Sequence, residues 1–188
     1  MIVKIVAIGD SITAGQHLHP ASAWPYHLNG HAIQARGVPG DTTRLGLERF
    51  PKEVQEVCPA AVIIQFGHND ANRWETDRGL PRVSMAAFKA NLYEMVDRAR
   101  RFGAVPFLCT LTPSLRPEPH PTDCARYDMV IRRVADEEGV RLIDVRAAFE
   151  AELDVRSLLL EDGLHLSVSG HQVYADAVRR VLDAEPLP

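Results

Sequence analysis

The chain has 188 residues, 46% hydrophobic and 24% charged, an ordinary composition for one globular domain able to bury its own core. That length holds about five or six βα units and falls short of the roughly 250 residues of a (β/α)8 barrel. Lys plus Arg total 21 against 25 Asp plus Glu, a net charge of −4; with no basic surplus to neutralise phosphates, a dedicated nucleic-acid binder is disfavoured.

The first apolar run, Ile2–Ile8, is interrupted only by Lys4 and ends at Gly9. It is too short for a signal-peptide core and reads as a buried strand. Weaker Ala32–Arg36 follows, then Ala61–Phe66, Val105–Thr110 and Arg141–Val145. The central runs are almost continuously apolar, as in strands covered on both faces. Between them lie patterns of helical period. Leu45, Phe50, Val54 and Val57 mark one helix, bent or broken at Pro51. Phe88, Leu92, Met95, Val96 and Ala99 mark a second, which Ser84 caps and Gly103 ends. Tyr127, Val130, Ile131 and Val134 mark a third, ended by Gly139; Tyr174, Ala177, Val178, Val181 and Leu182 mark the last. Strands alternating with helices give an α/β fold: a single domain over residues 1–188, a three-layer α/β/α sandwich on a five-stranded parallel sheet.

No apolar stretch approaches the ~18 residues of a membrane helix. Cys58, Cys109 and Cys124 are odd in number and widely spaced, which argues against a disulfide framework and for reduced thiols. The expectation is a cytoplasmic protein without membrane insertion.

Three strands run into short polar segments: Gly9-Asp10-Ser11, Gly37-Val38-Pro39-Gly40-Asp41 and Gly67-His68-Asn69-Asp70. Strand-end loops of open α/β sheets are where ligands bind. The longest irregular stretches, Asn72–Arg82 with Arg73 and Trp74, and Thr112–Thr122 with Arg116 and His120, are long enough to be functional. Near the C-terminus stands Asp162-Gly163-Leu164-His165. An Asp three residues before a His can hold its Nδ1 and leave Nε2 as a base. Ser11 is the candidate nucleophile for that base. Asn69 and the backbone N–H groups of Ser11 and Gly40 are candidate oxyanion donors. Nucleophile, base, orienter and hole together spell acyl transfer. Taken singly each piece has a plainer reading: Ser11 as a helix cap, Asn69 and Gly40 as turn residues, His165 as a satisfied histidine.

In this order the pieces resemble the SGNH hydrolases, the GDSL-type esterases and lipases. The first block of that family is matched by Gly9-Asp10-Ser11-Ile12-Thr13-Ala14-Gly15, with Ile12 in place of Leu. The second is matched by Arg36–Thr43, the third by Gly67–Asp70, and the last by Asp162–His165 running on to His171. The resemblance implies a flavodoxin-like strand order 2-1-3-4-5. It also implies a catalytic set of Ser11, Asp162 and His165, and an oxyanion hole of Ser11, Gly40 and Asn69. The GxSxG elbow of α/β-hydrolases is absent.

The function expected is hydrolysis of a small or medium acyl ester, with an O-acetyl group slightly preferred, through an acyl-enzyme. A thioesterase or lysophospholipase, an acyltransferase, or a non-catalytic binding protein are the alternatives. Asp10 and Asp70 read as residues that fix their own loops. His68 and Trp74 are candidate substrate contacts, and Trp24 is read as core or interface. His17, His19 and His120 match no metal-binding spacing and read as surface histidines. No metal or cofactor is expected, and the partner is a small-molecule ester.

Overall fold

A computed structural model of the chain describes residues 3–28, 30, 32–184 and 187. Five strands, β1 (Lys4–Gly9), β2 (Ala32–Gly37), β3 (Ala61–Gln65), β4 (Val105–Cys109) and β5 (Arg141–Ile143), form one sheet. Every pairing is parallel, and the order is β2-β1-β3-β4-β5, as the resemblance implied. Each expected strand is present to within two residues at either end; Ile2 of the first run lies outside the described residues.

Alternation along the strands splits the core in two. Val6, Ile8, Val62, Ile64 and Leu108 pack with Phe50, Phe88, Met95, Tyr127 and Ile131. These come from α2 (Thr43–Phe50), α4 (Met85–Arg101) and α5 (His120–Glu138). Ile5, Ala7, Ile63, Phe107 and Ile143 point the other way, against Phe149, Tyr174 and Val178 of α6 (Val145–Glu150) and α7 (Val168–Ala184). Trp24 belongs to this second layer: it is fully buried, its ring 4.7 Å from that of Tyr174 and tilted by 21°.

The helix boundaries follow local chemistry. Ser84 caps α4 by accepting the Ala87 N–H at 3.3 Å, and Gly139 ends α5 at φ +58°. Pro51 does not break the helix marked by Leu45, Phe50 and Val54. Having no N–H to donate, it opens a wider turn over Pro51–Gln55, in which Glu56 N–H donates to Pro51 O at 2.9 Å. Two differences from the sequence reading lie near the sheet's carboxyl edge. Helix α5 starts at His120, so the irregular stretch expected to run to Thr122 is shorter. The short helices α1 (Ser11–Ala14) and α3 (His68–Ala71) occupy two of the strand-end segments. Four residues are too few to display a period.

Candidate active site

The register sets the site. Gly9 pairs with Gly37 on one side and Gln65 on the other. The segments carrying Ser11, Gly40 and Asn69 therefore leave three adjacent strands at the crevice where the chain order reverses. Asp10 caps α1, its Oδ1 accepting the Ile12 N–H at 2.9 Å, and Ser11 follows as the first helical residue, 6% exposed. The end of β2 closes tightly on α1: a Cβ on Gly37 would stand 2.2 Å from the Ala14 nitrogen, so only glycine fits. Gly40 has φ +83° in the next turn, where Asp41 N–H donates to Val38 O at 3.1 Å.

The opposite wall comes from the other end of the chain. Leu159 and Leu166 bridge antiparallel, and Leu160 N–H donates to His165 O at 2.7 Å. In the turn between them Asp162 Oδ1 accepts the N–H groups of Leu164 and His165, each at 3.0 Å. Its Oδ2 lies 2.5 Å from His165 Nδ1. A carboxylate only accepts, so Nδ1 carries the proton and Nε2 is left with a lone pair. His165 Nε2 stands 3.0 Å from Ser11 Oγ. Partial burial disfavours the Asp162 charge, but the hydrogen bonds from His165 and from the two N–H groups outweigh it and draw the carboxyl down to about 2.

Asn69 Nδ2 lies 3.4 Å from Asp10 Oδ2, which brings the third segment against the first. Asp10 is fully buried. Desolvation raises its carboxyl to about 7 against the hydrogen bonds of Ile12 and Gln65 that favour the anion, with the Asp70 and Asp41 charges adding to the rise. Asp10 thus holds its own loop, as expected. Asp70 holds a different one: it accepts the Thr43 N–H at 3.0 and 3.1 Å and the Thr43 hydroxyl at 2.5 Å, pinning the start of α2.

Sequence reasoning missed Arg49. Its guanidinium donates to Gly9 O at 2.7 Å, Arg36 O at 2.9 Å and Asp41 Oδ2 at 2.6 Å, and it pairs with Glu53. One side chain therefore fastens the ends of β1 and β2 to the turn beside Gly40. Arg116, in sequence simply part of a long loop, has its Nη2 3.6 Å from Asp162 Oδ2. Apart from Glu53, four residues on from Arg49, nothing in the local pattern at either arginine signals these partners.

The remaining candidates fall as follows. Trp74 is half-exposed under the Arg82 guanidinium, 4.3 Å from the ring centre, and Arg82 Nη1 donates to Gly40 O at 2.8 Å. His68 is buried, with Nε2 3.1 Å from Thr112 Oγ1 and Nδ1 3.4 Å from Cys124 Sγ. A polar contact with substrate would have to displace one of these. His120 corrects the surface reading: it is 8% exposed, with Nδ1 2.9 Å from Ser114 Oγ and Nε2–H donating to His68 O at 3.3 Å. His19 is exposed, and its Nδ1 accepts the Ala21 N–H at 3.3 Å. His17 is exposed too, but its ring meets that of His165 edge-on at 4.8 Å.

Two groups bring donor atoms within 4.8 Å of one another: His68, His120 and Cys124, and His17, Asp162 and His165. In the first, Cys124 Sγ is almost equally far, 3.6 and 3.7 Å, from the two nitrogens of His120. The sulfur therefore does not lie along the Nδ1 lone pair, which is spent on Ser114. In the second, both nitrogens of His165 are already engaged. Both groups are hydrogen-bonded packing rather than open ligand spheres. Among the described residues the three cysteines are free thiols, and no helix is long and apolar enough to cross a membrane.

A parallel sandwich carrying these four segments is the architecture of a hydrolase acting on acyl esters. The model of the GDSL-like lipase/acylhydrolase family matches residues 7–173, and the chain belongs to that family. It is 28% identical over 169 residues to the esterase TesA of Pseudomonas aeruginosa, covering 86% of this chain and 78% of that protein. It is 25% identical to an acetylxylan esterase of Geobacillus stearothermophilus, covering 97% and 94% of the two chains. The crystal structure of a lipase/acylhydrolase from Enterococcus faecalis superposes with a TM-score of 0.82 at 28% identity, over 97% of this chain and 96% of that one.

Proposed function

We propose that the protein is a serine esterase that cleaves short acyl esters through an acyl-enzyme on Ser11. The observation that carries this reading is the relay Asp162 Oδ2–His165 Nδ1 at 2.5 Å and His165 Nε2–Ser11 Oγ at 3.0 Å. His165 takes the Ser11 proton as Oγ attacks the ester carbonyl. The oxyanion is held by Asn69 Nδ2 and the N–H groups of Ser11 and Gly40. The alcohol leaves with the proton from His165. Water, deprotonated by the same nitrogen, then releases the acid and restores Ser11. Asp162 fixes the tautomer and steadies the imidazolium. No metal or cofactor enters this sequence.

The preference for short acyl groups, acetyl included, is the narrower part of this reading. Beside the relay, rather than around Ser11, a hollow lined by Asn72 and Arg116 holds about 220 Å3. The acetylxylan esterase, similar along nearly its whole length, favours the same reading. Trp74, tied to Gly40 through Arg82, is assigned to the rim on the substrate side.

The test is turnover of p-nitrophenyl esters of rising chain length by the wild type and Ser11→Ala. The expected result is an optimum at acetate or butyrate and loss of nearly all turnover in Ser11→Ala, with the fold intact by circular dichroism. Unchanged turnover in that variant overturns the assignment. A long-chain optimum replaces the short-ester reading with the thioesterase or lysophospholipase alternative.

A further inference from the structure

Arg116 is unusual among the cations beside the relay. Its side chain is 31% exposed and its one ionic contact among the described residues, to Asp162 Oδ2, is 3.6 Å long, beyond hydrogen-bonding range. Asp162 does not need it: Oδ2 already holds His165 Nδ1 and Oδ1 accepts two backbone N–H groups. A guanidinium carries five N–H donors in a planar fork, and those of Arg116 are left open.

Arg73, on the facing loop, is the opposite case. Its Nε and Nη2 bind Asp123 at 2.5 and 3.1 Å, and Nη1 donates to Gly79 O at 2.7 Å. Both arginines line the 220 Å3 hollow, together with Asn72, His120 and Asp123. Asp123 is spent on Arg73 and, at 3.6 Å, on Arg126. Arg116 is therefore the cation in the hollow with donors to give. The lining includes Ala71, two residues beyond Asn69, and Arg116, 3.6 Å from Asp162 Oδ2, so the hollow flanks the reacting centre.

We propose that Arg116 recognises a carboxylate carried by the ester, so that the preferred substrate is an acyl ester with an acidic substituent a few bonds from the scissile carbonyl. The inference rests on the esterase reading and narrows its substrate class. A carboxylate matches the guanidinium fork with two parallel hydrogen bonds.

The test compares kcat/KM for mono-p-nitrophenyl succinate with that for neutral p-nitrophenyl butyrate, and 4-acetoxybenzoate with phenyl acetate. The first pair carries the charge on the acyl side, the second on the alcohol side. Each is measured with the wild type, Arg116→Gln and Arg116→Lys. The wild type is expected to favour the acidic member of one pair by at least about tenfold, the size of one charge-assisted hydrogen bond. Arg116→Gln should abolish that ratio and Arg116→Lys keep part of it. A merely structural role lowers both members of a pair alike, leaves the ratio unchanged, and overturns the proposal. So does a wild type that hydrolyses the neutral esters with no preference, a result that leaves the esterase reading standing. If no ester is hydrolysed at all, both readings fall together.

Discussion

At the scale of single residues, the site divides by how local its interactions are. Asp162 reaches His165 within one turn, and Asp10 reaches Ile12 within another. Such contacts are written into short stretches of sequence, which is why Asp162, His165 and Ser11 could be picked out beforehand. Arg49 and Arg116 could not, because an arginine's partner is set by what the fold places opposite it. The Asp70–Thr43 contact, 27 residues apart, escaped for the same reason. The Asp162 contact also makes a sharp prediction. Asp162→Asn keeps the shape but can donate to Nδ1, which favours the tautomer whose proton faces Ser11. Its kcat should fall on the order of 10⁴-fold with little change in KM. A drop below tenfold would show that Asp162 does not set the tautomer.

At the scale of elements, the long helices and strands were legible because each repeats its pattern often enough. Phe88, Leu92, Met95, Val96 and Ala99 are all buried along α4. The short helices that carry Ser11 and Asn69 have no such repeat, and their positions come from docking rather than propensity. Arg49 supplies part of that docking by joining β1, β2 and the Gly40 turn. Its side chain is only 16% exposed, and removing it takes a donor from the Arg36 carbonyl, the Asp41 carboxylate and the Gly9 carbonyl, the last of which keeps the Val38 N–H at 3.0 Å. Arg49→Ala should cost about 1.5–3 kcal/mol in urea unfolding and lower kcat along with stability. Arg49→Lys should recover little of either, since one ammonium does not span the three acceptors. Full stability in Arg49→Ala would show that the strand ends hold themselves.

At the scale of the whole molecule, buried carboxyls and buried histidines together set how stability follows pH. The folded-state value of Asp10 is raised to about 7 and that of Asp70 to about 6, burial being the largest cause in each. A raised value means that their contribution is full below the unfolded value of ~3.9 and is lost as pH rises through 6 to 7. Asp162 has the opposite sign: its contribution is present above ~3.9 and lost as pH falls through about 2. His68, His120 and His171, held neutral by burial below the usual imidazole range, have the reverse sign in the same window, so the expected outcome is a difference: relative to the wild type, Asp10→Asn should gain Tm as pH rises from mildly acid to neutral in thermal unfolding. An identical slope in that variant would remove Asp10 as a cause. The strand order, by contrast, was carried by the resemblance, since short apolar runs do not state which neighbour they will pair with.

The distance along the chain between Ser11 and His165 has a consequence for biosynthesis. On the proposed mechanism, Ser11 in the β1–α1 junction is synthesised 154 residues ahead of the histidine that would act as its base. During synthesis the hydroxyl is an ordinary alcohol, with no partner to take its proton. On that mechanism a nucleophile exists only once the Leu159–Leu166 hairpin has docked against the sheet. Reactivity toward an acylating reagent would then count finished molecules, while nascent, truncated or half-folded chains carrying the same serine would stay silent.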